Sequence, residues 1–307
     1  MKYIVTGGAG FIGSHLSEAL VAGGHELIII DDLSSGRMEN LSEIINHPDV
    51  TFHQESILNR PALHTLFEGA DGVFHQAALV SVPKSIDDPA ASHAITLTGT
   101  LNMLLVASDV GVKKVVSASS AAVYGNLLSL RKREDMPVDP LSPYGVEKHA
   151  SREYFRIFSS LYGLSTVCLR YFNVYGPRRD PHSDYSAAVP KFIQRISSGK
   201  PSLIYGDGEQ TRDFVYVKDV VQANIRAMPL GSASGVYNIA NGVGIRVNDL
   251  AVTVLRVMGS EMRPVYADAR SGEVKHSVAD VSRARGEFGF EPGYTLEKGL
   301  GEMKNAQ

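Results

Sequence analysis

A glycine-rich turn directly follows the first apolar run of the chain, and it constrains the fold more than any other feature. The run at residues 3–5 leads into residues 6–13, which read Thr-Gly-Gly-Ala-Gly-Phe-Ile-Gly. Glycines in this arrangement let the backbone approach a pyrophosphate at the positive end of the helix that follows. An acidic residue about 20 positions further on completes such a dinucleotide site. Asp31 stands 18 residues after Gly13, at the end of the second apolar run.

Short apolar runs alternate with longer amphipathic segments from Lys2 to about Arg170, which is typical of βαβ units in a parallel sheet. These runs lie at residues 3–5, 26–30, 50–53, 72–74, 114–116 and 165–169. Because they are apolar on both faces, we expect helices on both sides of the sheet. We predict an α/β fold with a doubly wound parallel Rossmann sheet and a smaller mixed α/β substrate lobe. Residues 1–173 form the nucleotide domain, segments around 214–242 return to it, and 174–307 form mainly the second lobe.

Composition narrows the class of protein. The 307 residues are 44% hydrophobic and 21% charged, with a net charge of −3, so no basic surface for nucleic acid or anionic membrane is expected. The single cysteine, Cys168, allows neither an intramolecular disulfide nor a multi-thiolate metal site, and we predict a cytoplasmic protein without a metal. We find no apolar run long enough for a transmembrane helix and no room for a signal peptide.

Asp31 also predicts which dinucleotide binds. Its carboxylate can accept both hydroxyls of an adenosine ribose and would repel a 2′-phosphate, so we expect NAD rather than NADP. Arg37 lies close in sequence and weighs against this choice. Asp32 is the alternative ribose partner, although the last residue of the strand is better placed.

Two further patterns fall where ligands bind in open α/β sheets. Ser120 follows the strand around residues 115–116, although a serine there is more often part of a turn. Ser142 is a good N-cap before Pro143, so Tyr144 and Lys148 stand four apart on one helical face. An exposed helix can also carry such a pair by chance. The coincidence of these patterns at one edge of the sheet favours a catalytic site.

A tyrosine and lysine so placed suit removal of a sugar hydroxyl proton while hydride leaves the same carbon. The tyrosine pKa must then fall by about three units from its ordinary value of about 10. An ammonium at about 4 Å, with an effective dielectric constant of about 20, provides an effect of that size. We therefore expect Lys148 to lower the pKa of Tyr144. Ser120 would hold the reacting oxygen by a hydrogen bond, and no base for a nucleophilic serine is evident.

Taken together, these residues resemble the extended short-chain dehydrogenase/reductase family, and within it the nucleotide-sugar 4-epimerases. The resemblance covers nearly the whole chain. Besides the glycine turn and the Ser120, Tyr144 and Lys148 triad, the motifs that carry it lie at residues 74–78, 81–85, 99–102, 169–174, 206–208, 212–219 and 237–239.

The resemblance implies specific binding residues. Those expected at NAD are Gly7, Gly10, Phe11, Ile12, Gly13, Asp31, Asp32, Ser35, Gly36, Ser56, Ile57, Gln76, Ala77, Ala78, Val80, Thr96, Ala118, Tyr144, Lys148, Tyr171, Phe172 and Val174. Those expected at a UDP-sugar are Ser81, Ser120, Tyr144, Asn173, Ala188, Val189, Phe192, Tyr205, Arg212, Arg270, Glu273 and Ser277. The two arginines would clamp the diphosphate, since a guanidinium suits phosphate oxygens. Tyr205 or Phe192 would pack on uracil, although either is equally suited to the core.

The segment at residues 270–280 resembles that of UDP-N-acetylglucosamine 4-epimerases. The position of Ser277 is a pocket wall that is small in family members accepting 2-acetamido sugars, so the serine favours them. The chain departs from the family pattern at two positions. Thr96 stands where the family usually has an asparagine, and Ser56 stands where the family usually has an aspartate that contacts the adenine of NAD. Ala121 and Ala122 lack serines that some acetamido-sugar epimerases carry there.

We predict a UDP-hexose 4-epimerase acting on UDP-glucose and UDP-galactose and on their N-acetyl counterparts. In it Tyr144 takes the C4 hydroxyl proton, and the resulting 4-keto sugar turns over and is reduced on its other face. The alternatives are a UDP-glucuronate 4-epimerase, a 4,6-dehydratase, a decarboxylase, or a non-catalytic NAD-sensing regulator. Ala121 and Ala122 occupy the places where the dehydratases and decarboxylases have carboxylates. The family also implies a homodimer that pairs the helices around residues 90–109 and 144–162.

Overall fold

A sheet of seven parallel strands forms the centre of the computed structural model, which describes residues 1–127, 129, 131–180, 188–231, 235–269 and 274–305. Its strands, in the order β11-β7-β5-β4-β1-β2-β3, are β1 (Lys2–Thr6), β2 (Glu26–Asp31), β3 (Val50–Gln54), β4 (Gly72–His75), β5 (Lys114–Ser120), β7 (Ser165–Tyr171) and β11 (Gly235–Ile239). The chain runs from β1 to one edge and then from β4 to the other, so the strand order reverses between β1 and β4. Ligands of open α/β sheets bind at such a reversal, outside the carboxyl ends of the strands.

Helices cover both faces of this sheet. The helices of the described residues are α1 (Phe11–Ala22), α2 (Arg60–Phe67), α3 (Val82–Asp87), α4 (Pro89–His93), α5 (Gly99–Asp109), α6 (Pro143–Tyr162), α7 (Ala188–Ser197), α8 (Val217–Ala227), α9 (Val247–Met258), α10 (Ser282–Phe288) and α11 (Leu296–Asn305). Of these, α7, α9 and α11 pack with one another in the smaller lobe. Successive side chains of a strand point to opposite faces, so Ile4 and Val5 enter two different apolar cores. The predicted doubly wound sheet is confirmed.

The smaller lobe has mixed sheets, as predicted. Its strands are β6 (Arg131–Lys132), β8 (Asn173–Tyr175), β9 (Leu203–Tyr205), β10 (Thr211–Tyr216), β12 (Gly244–Arg246), β13 (Val265–Ala267) and β14 (His276–Ala279). Strand β10 is central, because it pairs in parallel with β8 and β14 and antiparallel with β12. Strand β11 joins the large sheet, so the chain passes between the two lobes more than once. The domain boundary at residue 173 stays a prediction.

One helical stretch is more apolar than the sequence analysis anticipated. Helices α4 and α5 are joined by a π-helical turn, and the continuous helix Pro89–Asp109 has the length and composition that could cross a membrane. Helices in the core of water-soluble proteins meet the same criterion. Here Met103, Leu104 and Val106 are fully buried, and the helix packs against α2 and α6. Its buried residues therefore pack as in a core helix.

Candidate active site

The glycine turn after β1 holds three backbone segments in close contact. Gly7 adopts a positive φ of 70°, and a Cβ there would lie 2.7 Å from the amide nitrogen of Ala77 beyond β4. A Cβ on Gly13 would lie 2.0 Å from the carbonyl oxygen of Gly7. Gly10 is the N-cap of α1 and has no side chain to cover the first turn. The free N–H groups of that turn therefore face the end of the sheet, where they can bind an anion.

Asp31 ends β2 beside this turn and is 8% exposed. Its carboxylate accepts hydrogen bonds from the backbone N–H groups of Ala9 and Leu33, both at 2.9 Å. Burial raises the pKa of Asp31, and these backbone bonds oppose the rise. Gly36 is needed at its place because a Cβ would come within 2.6 Å of a carboxylate oxygen of Asp31. Asp32 is exposed, so Asp31 is the more firmly held of the two carboxylates.

A cavity of about 1190 Å³ extends along the carboxyl ends of the strands from Asp31 to Tyr144. Most of the predicted site residues line it together, which the sequence could not show for residues so far apart. They are Gly7, Gly10, Phe11, Ile12, Gly13, Asp31, Asp32, Ser35, Gly36, Ile57, Gln76, Ala77, Ala78, Val80, Ser81, Ala118, Ser120, Tyr144, Lys148, Tyr171, Phe172, Asn173 and Val174.

Helix α6 brings Tyr144 and Lys148 to this cavity. The Ser142 side chain caps the helix by accepting from the N–H of Gly145 at 3.1 Å, and Pro143 occupies the first helical position. Both catalytic candidates are nearly buried, at 7% and 5% exposure. The N–H of Tyr144 donates to the hydroxyl of Ser85 at 3.1 Å, which fixes the first turn of α6 against α3.

The electrostatics of the pair differ from the sequence-based expectation. The Nζ of Lys148 lies 5.9 Å from the centre of the Tyr144 ring and donates to the carbonyl of Ala118 at 3.0 Å. Burial lowers the pKa of Lys148 to about 8. Burial also raises the pKa of Tyr144, while hydrogen bonding to Ser120 and the charge of Arg179 lower it. The expected net lowering of the Tyr144 pKa by Lys148 is therefore wrong, because desolvation of the phenolate outweighs the hydrogen bond to Ser120 and the charge of Arg179.

With this geometry in place, comparison with known proteins identifies the family. Residues 3–240 match the model of the NAD dependent epimerase/dehydratase family. This range includes nearly all of the large sheet and every cavity residue named above. The chain belongs to this family. The resemblance predicted from the motifs is thereby confirmed.

Individual relatives match the whole chain. The UDP-glucose 4-epimerase of Mycolicibacterium smegmatis is 37% identical over 302 residues, which are 98% of this chain and 96% of the relative. The structure of UDP-N-acetylglucosamine 4-epimerase from Methanobrevibacter ruminantium, in complex with UDP-N-acetylmuramic acid, superposes with a TM-score of 0.94 at 40% identity, covering 99% and 97% of the two chains. The structure of Thermotoga maritima UDP-glucose 4-epimerase with UDP-glucose superposes with a TM-score of 0.94 at 37% identity, covering 100% of both chains.

The cavity fits NAD, the predicted cofactor, on which this epimerase/dehydratase family depends. The contact between Gly13 and Gly7 leaves no space for a side chain and keeps the first turn of α1 open for a pyrophosphate. Asp31 is held at the end of β2, where a ribose binds in this type of sheet.

Behind the cavity, the buried side chain of His75 makes polar contacts that the sequence did not reveal. The ring of His75 is bonded to the hydroxyls of Thr6 at 2.8 Å and Thr100 at 3.0 Å, and burial lowers the pKa of His75 to about 3. The imidazole is therefore neutral and ties β1 and β4 to α5. No local signal marks this contact, because the partners lie far apart in sequence.

A second buried contact holds the cavity wall from the other side of the sheet. The amide of Asn224 in α8 donates to the Tyr171 hydroxyl at 2.8 Å, and Gln76 donates to Asn224 at 3.0 Å. Asn224 thus positions two predicted cofactor residues without lining the cavity. Sequence reasoning did not single it out.

Two residues expected at NAD do not line the cavity. The hydroxyl of Ser56 accepts from the N–H of Leu58 at 3.2 Å, and Glu55 and Ile57 line the cavity on either side of it. The hydroxyl of Thr96 accepts from the N–H of Leu79 at 3.2 Å and is buried beneath the wall. Ser56 thus stabilises a local turn, whereas Thr96 ties its helix to the backbone after β4.

The residues expected at the UDP-sugar beyond Asn173 lie in the second lobe, outside this cavity. The described ones are Ala188, Val189, Phe192, Tyr205, Arg212 and Ser277. Phe192 and Val189 are buried in the apolar core, which favours a packing role for Phe192 over stacking on uracil. Tyr205 is partly exposed on β9. Arg270 and Glu273 lie outside the described residues.

Strand β10 connects the cavity to this outer group. The Asn173 amide lines the cavity and donates to the carbonyl of Asp213 at 3.1 Å. The neighbouring residue on β10, Arg212, is the register partner of Ser277 on β14. The two predicted substrate residues are therefore side by side, with Arg212 one strand and Ser277 two strands away from the cavity wall at Asn173.

Arg179 is the functional candidate that sequence reasoning missed. It follows β8 and lines the cavity with Tyr144. The sequence signal was present, because the Pro-Arg-Arg-Asp stretch at residues 177–180 concentrates charge directly after a strand of the site.

Proposed function

We propose that this protein is a UDP-hexose 4-epimerase that interconverts UDP-glucose with UDP-galactose and UDP-N-acetylglucosamine with UDP-N-acetylgalactosamine. The observation that carries the proposal is the convergence of Ser120, Tyr144 and Lys148 on the cavity that fits NAD. The names of the M. smegmatis and T. maritima relatives support the reaction. Retention of the Tyr144 and Lys148 pair favours an enzyme over a regulator that only senses NAD.

The residues divide the chemistry between them. Ser120 donates a hydrogen bond to the C4 oxygen and holds it near the phenolic oxygen of Tyr144. Tyr144 takes the C4 hydroxyl proton and returns it in the second half-reaction. Lys148, held by the Ala118 carbonyl, keeps a positive charge near the phenolate. The glycine turn and Asp31 would hold NAD, which would supply the acceptor for the C4 hydride and its return to the 4-keto sugar. Binding through the diphosphate lets the sugar present its other face.

A 4,6-dehydratase or decarboxylase would need a further acid or base beside the sugar. Residues 121–124 form a 3-10 helix directly after Ser120, and its first two residues are alanines. The carboxylates among the described residues of the cavity wall are Asp31, Asp32, Glu55 and Asp180, and none of them follows Ser120. This arrangement favours epimerisation over elimination.

Acceptance of N-acetyl sugars rests on the position of Ser277. It is the register partner of Arg212, which we propose binds the diphosphate, and its small side chain leaves room at that place. The UDP-N-acetylglucosamine 4-epimerase of M. ruminantium, at 40% identity, supports this assignment.

We also propose a homodimer that pairs helix Pro89–Asp109 and helix α6 across a two-fold axis. Apolar side chains remain exposed at the carboxyl end of α6, where Leu161 is 74% and Tyr162 is 59% exposed. Light scattering after size exclusion should give twice the 33.2 kDa chain mass. A mass of one chain would contradict the dimer.

The function is tested by incubating the purified protein separately with the four UDP-sugars and following their anomeric protons by NMR. Conversion within both pairs would support the proposal. Conversion of the glucose and galactose pair alone would mean that the wall at Ser277 is misassigned. No conversion, even with added NAD, would contradict the epimerase and favour another sugar or a regulator.

A further inference from the structure

Arg179 places a positive charge in the wall of the cavity that Tyr144 also lines. Its Nη1 donates to the carbonyl of Val174 at 2.6 Å, and its guanidinium carbon lies 5.5 Å from the centre of the Phe11 ring. These two contacts fix the side chain between β8 and the first turn of α1. The side chain lines the same cavity as Tyr144.

The charge of Arg179 is not neutralised within the described part of the chain, in contrast to its neighbours. Arg178 forms an ion pair with Glu18 of α1. Arg37 lies 3.4 Å from Asp180. Of the carboxylates in the described ranges, none pairs with Arg179, whose polar contact is a neutral carbonyl. A partly buried guanidinium without a carboxylate partner is a sign of a functional position, since burial of an unpaired charge is unfavourable.

We propose that Arg179 is a positioning residue for the reaction, whose fixed guanidinium stabilises the anionic form of Tyr144 together with Lys148. This inference rests on the proposed function, because it assigns Arg179 a role through the base of that reaction. It adds a second cation from a different part of the fold, the loop after β8, to the one that α6 supplies.

The charged groups around Tyr144 explain why a second cation matters. From α6, Lys148 donates to the Ala118 carbonyl, and Glu147 is a negative charge that accepts from the hydroxyl of Ser92 at 2.7 Å. Burial and Glu147 both raise the pKa of Tyr144, whereas Ser120 and Arg179 lower it. The interaction is mutual, since Tyr144 raises the pKa of Arg179 against the effect of burial. Arg179 thus opposes the two influences that keep the phenol protonated.

The direct test is titration of the Tyr144 phenol in the holoenzyme. Phenolate absorbance near 295 nm is measured against pH, and the signal of the other tyrosines among the 13 is removed by subtracting a Tyr144→Phe variant of the same background. In Arg179→Gln the Tyr144 midpoint should rise by about one pH unit, since a nearby positive charge has been removed behind partial solvent screening. In Arg179→Lys, which keeps the positive charge, the Tyr144 midpoint should return most of the way to its wild-type value.

Arg178→Gln is the matched control. It removes the same charge at the neighbouring position, where the Arg178 side chain is already paired with Glu18. Its Tyr144 midpoint should stay at the wild-type value. Should Arg179→Gln not fold, Arg179→Met removes the same charge and serves in its place. An unchanged Tyr144 midpoint in the folded charge-removing variant, or an equal shift in Arg178→Gln, would overturn the proposal.

A second measurement separates this inference from the proposed function. The acidic limb of the kcat/KM profile for UDP-glucose should move to higher pH in Arg179→Gln by the same amount as the phenol midpoint, and it should return in Arg179→Lys. A merely structural role would lower kcat/KM without moving the limb, which would contradict the proposal. Should the protein epimerise no UDP-sugar, the phenol titration still tests Arg179 alone.

Discussion

The ammonium of Lys148 lies 5.9 Å from the centre of the Tyr144 ring, one helical turn further along α6. It donates to the carbonyl of Ala118 at the end of β5, so the sheet holds the cation in place. Burial works against charge on both residues: it lowers the pKa of Lys148 to about 8 and raises that of Tyr144. The protein therefore forms its base only with help from the surrounding charges and, when bound, from the positive nicotinamide.

Removal of the phenolic oxygen should abolish most activity and leave the cofactor site intact. In Tyr144→Phe the C4 hydroxyl loses its proton acceptor, and we expect kcat to fall by about 100-fold or more. NAD affinity, measured by calorimetry, should change little, because the glycine turn and Asp31 are untouched. Turnover near the wild-type rate would contradict the assigned base.

A bulky side chain at residue 277 should change substrate choice. Ser277→Tyr would fill the space beside Arg212 on β10, so epimerisation of UDP-N-acetylglucosamine should fall by about 10-fold or more relative to that of UDP-glucose. Ser277→Ala, which keeps the wall small, is the control and should retain the wild-type ratio. Equal losses on both substrates in Ser277→Tyr would remove Ser277 from the acetamido pocket. The ratio of the two kcat/KM values is the measurement.

The contact between Gly13 and Gly7 predicts a severe effect of a single methyl group. In Gly13→Ala the new Cβ would lie 2.0 Å from the Gly7 carbonyl oxygen, so the turn must move and NAD binding should be lost. Gly301→Ala in α11 is the control, because its Cβ meets nothing within 4 Å and alanine favours the helix by about 0.5–1 kcal/mol. Calorimetric titration with NAD and thermal melting distinguish the two. Wild-type NAD affinity in Gly13→Ala would contradict this account of the turn.

His75 should make stability depend on pH. Its folded-state pKa of about 3 lies below the ordinary 6.5, so the unfolded chain takes up the proton first as the pH falls. The contribution of the neutral ring is present above about pH 6.5 and is lost progressively towards pH 3. We expect it to remove about 2 kcal/mol of unfolding free energy between pH 7 and pH 5.

The measurement for His75 is urea unfolding at both pH values for the wild type and for His75→Gln. The variant should be less stable at pH 7 because it loses the bonds to Thr6 and Thr100, but its stability should fall less towards pH 5. Equal pH dependence in the two proteins would show that His75 is protonated in the folded state.

Local patterns predicted much of the fold and the site. The glycine turn lies at the start of α1, as predicted. Ser142 and Pro143 predicted the first turn of α6, which begins at Pro143 and brings Tyr144 and Lys148 to the cavity. These features depend on residues a few positions apart, where helix capping and turn chemistry dominate.

Contacts between distant residues could not be predicted in this way. Asn224 and Gln76 are hydrogen-bonded although they lie far apart in the sequence. The direction in which the pKa of Tyr144 shifts depends on burial of its side chain by several elements. The burial of Phe192 and the bond from Leu79 to Thr96 likewise follow from tertiary packing. Such outcomes depend on which segments the fold brings together, and a single sequence does not encode them in any short pattern.

The central claim, transient oxidation at C4, is tested most directly with UDP-glucose deuterated at C4. The label leaves as hydride and returns to the same carbon, so the UDP-galactose formed should retain deuterium at C4 by NMR and mass spectrometry. Incubation of unlabelled substrate in D₂O should add no deuterium to the carbon skeleton of the sugar. Loss of the C4 label would contradict the return of the same hydride to C4, and solvent deuterium at C5 would indicate chemistry at a different carbon.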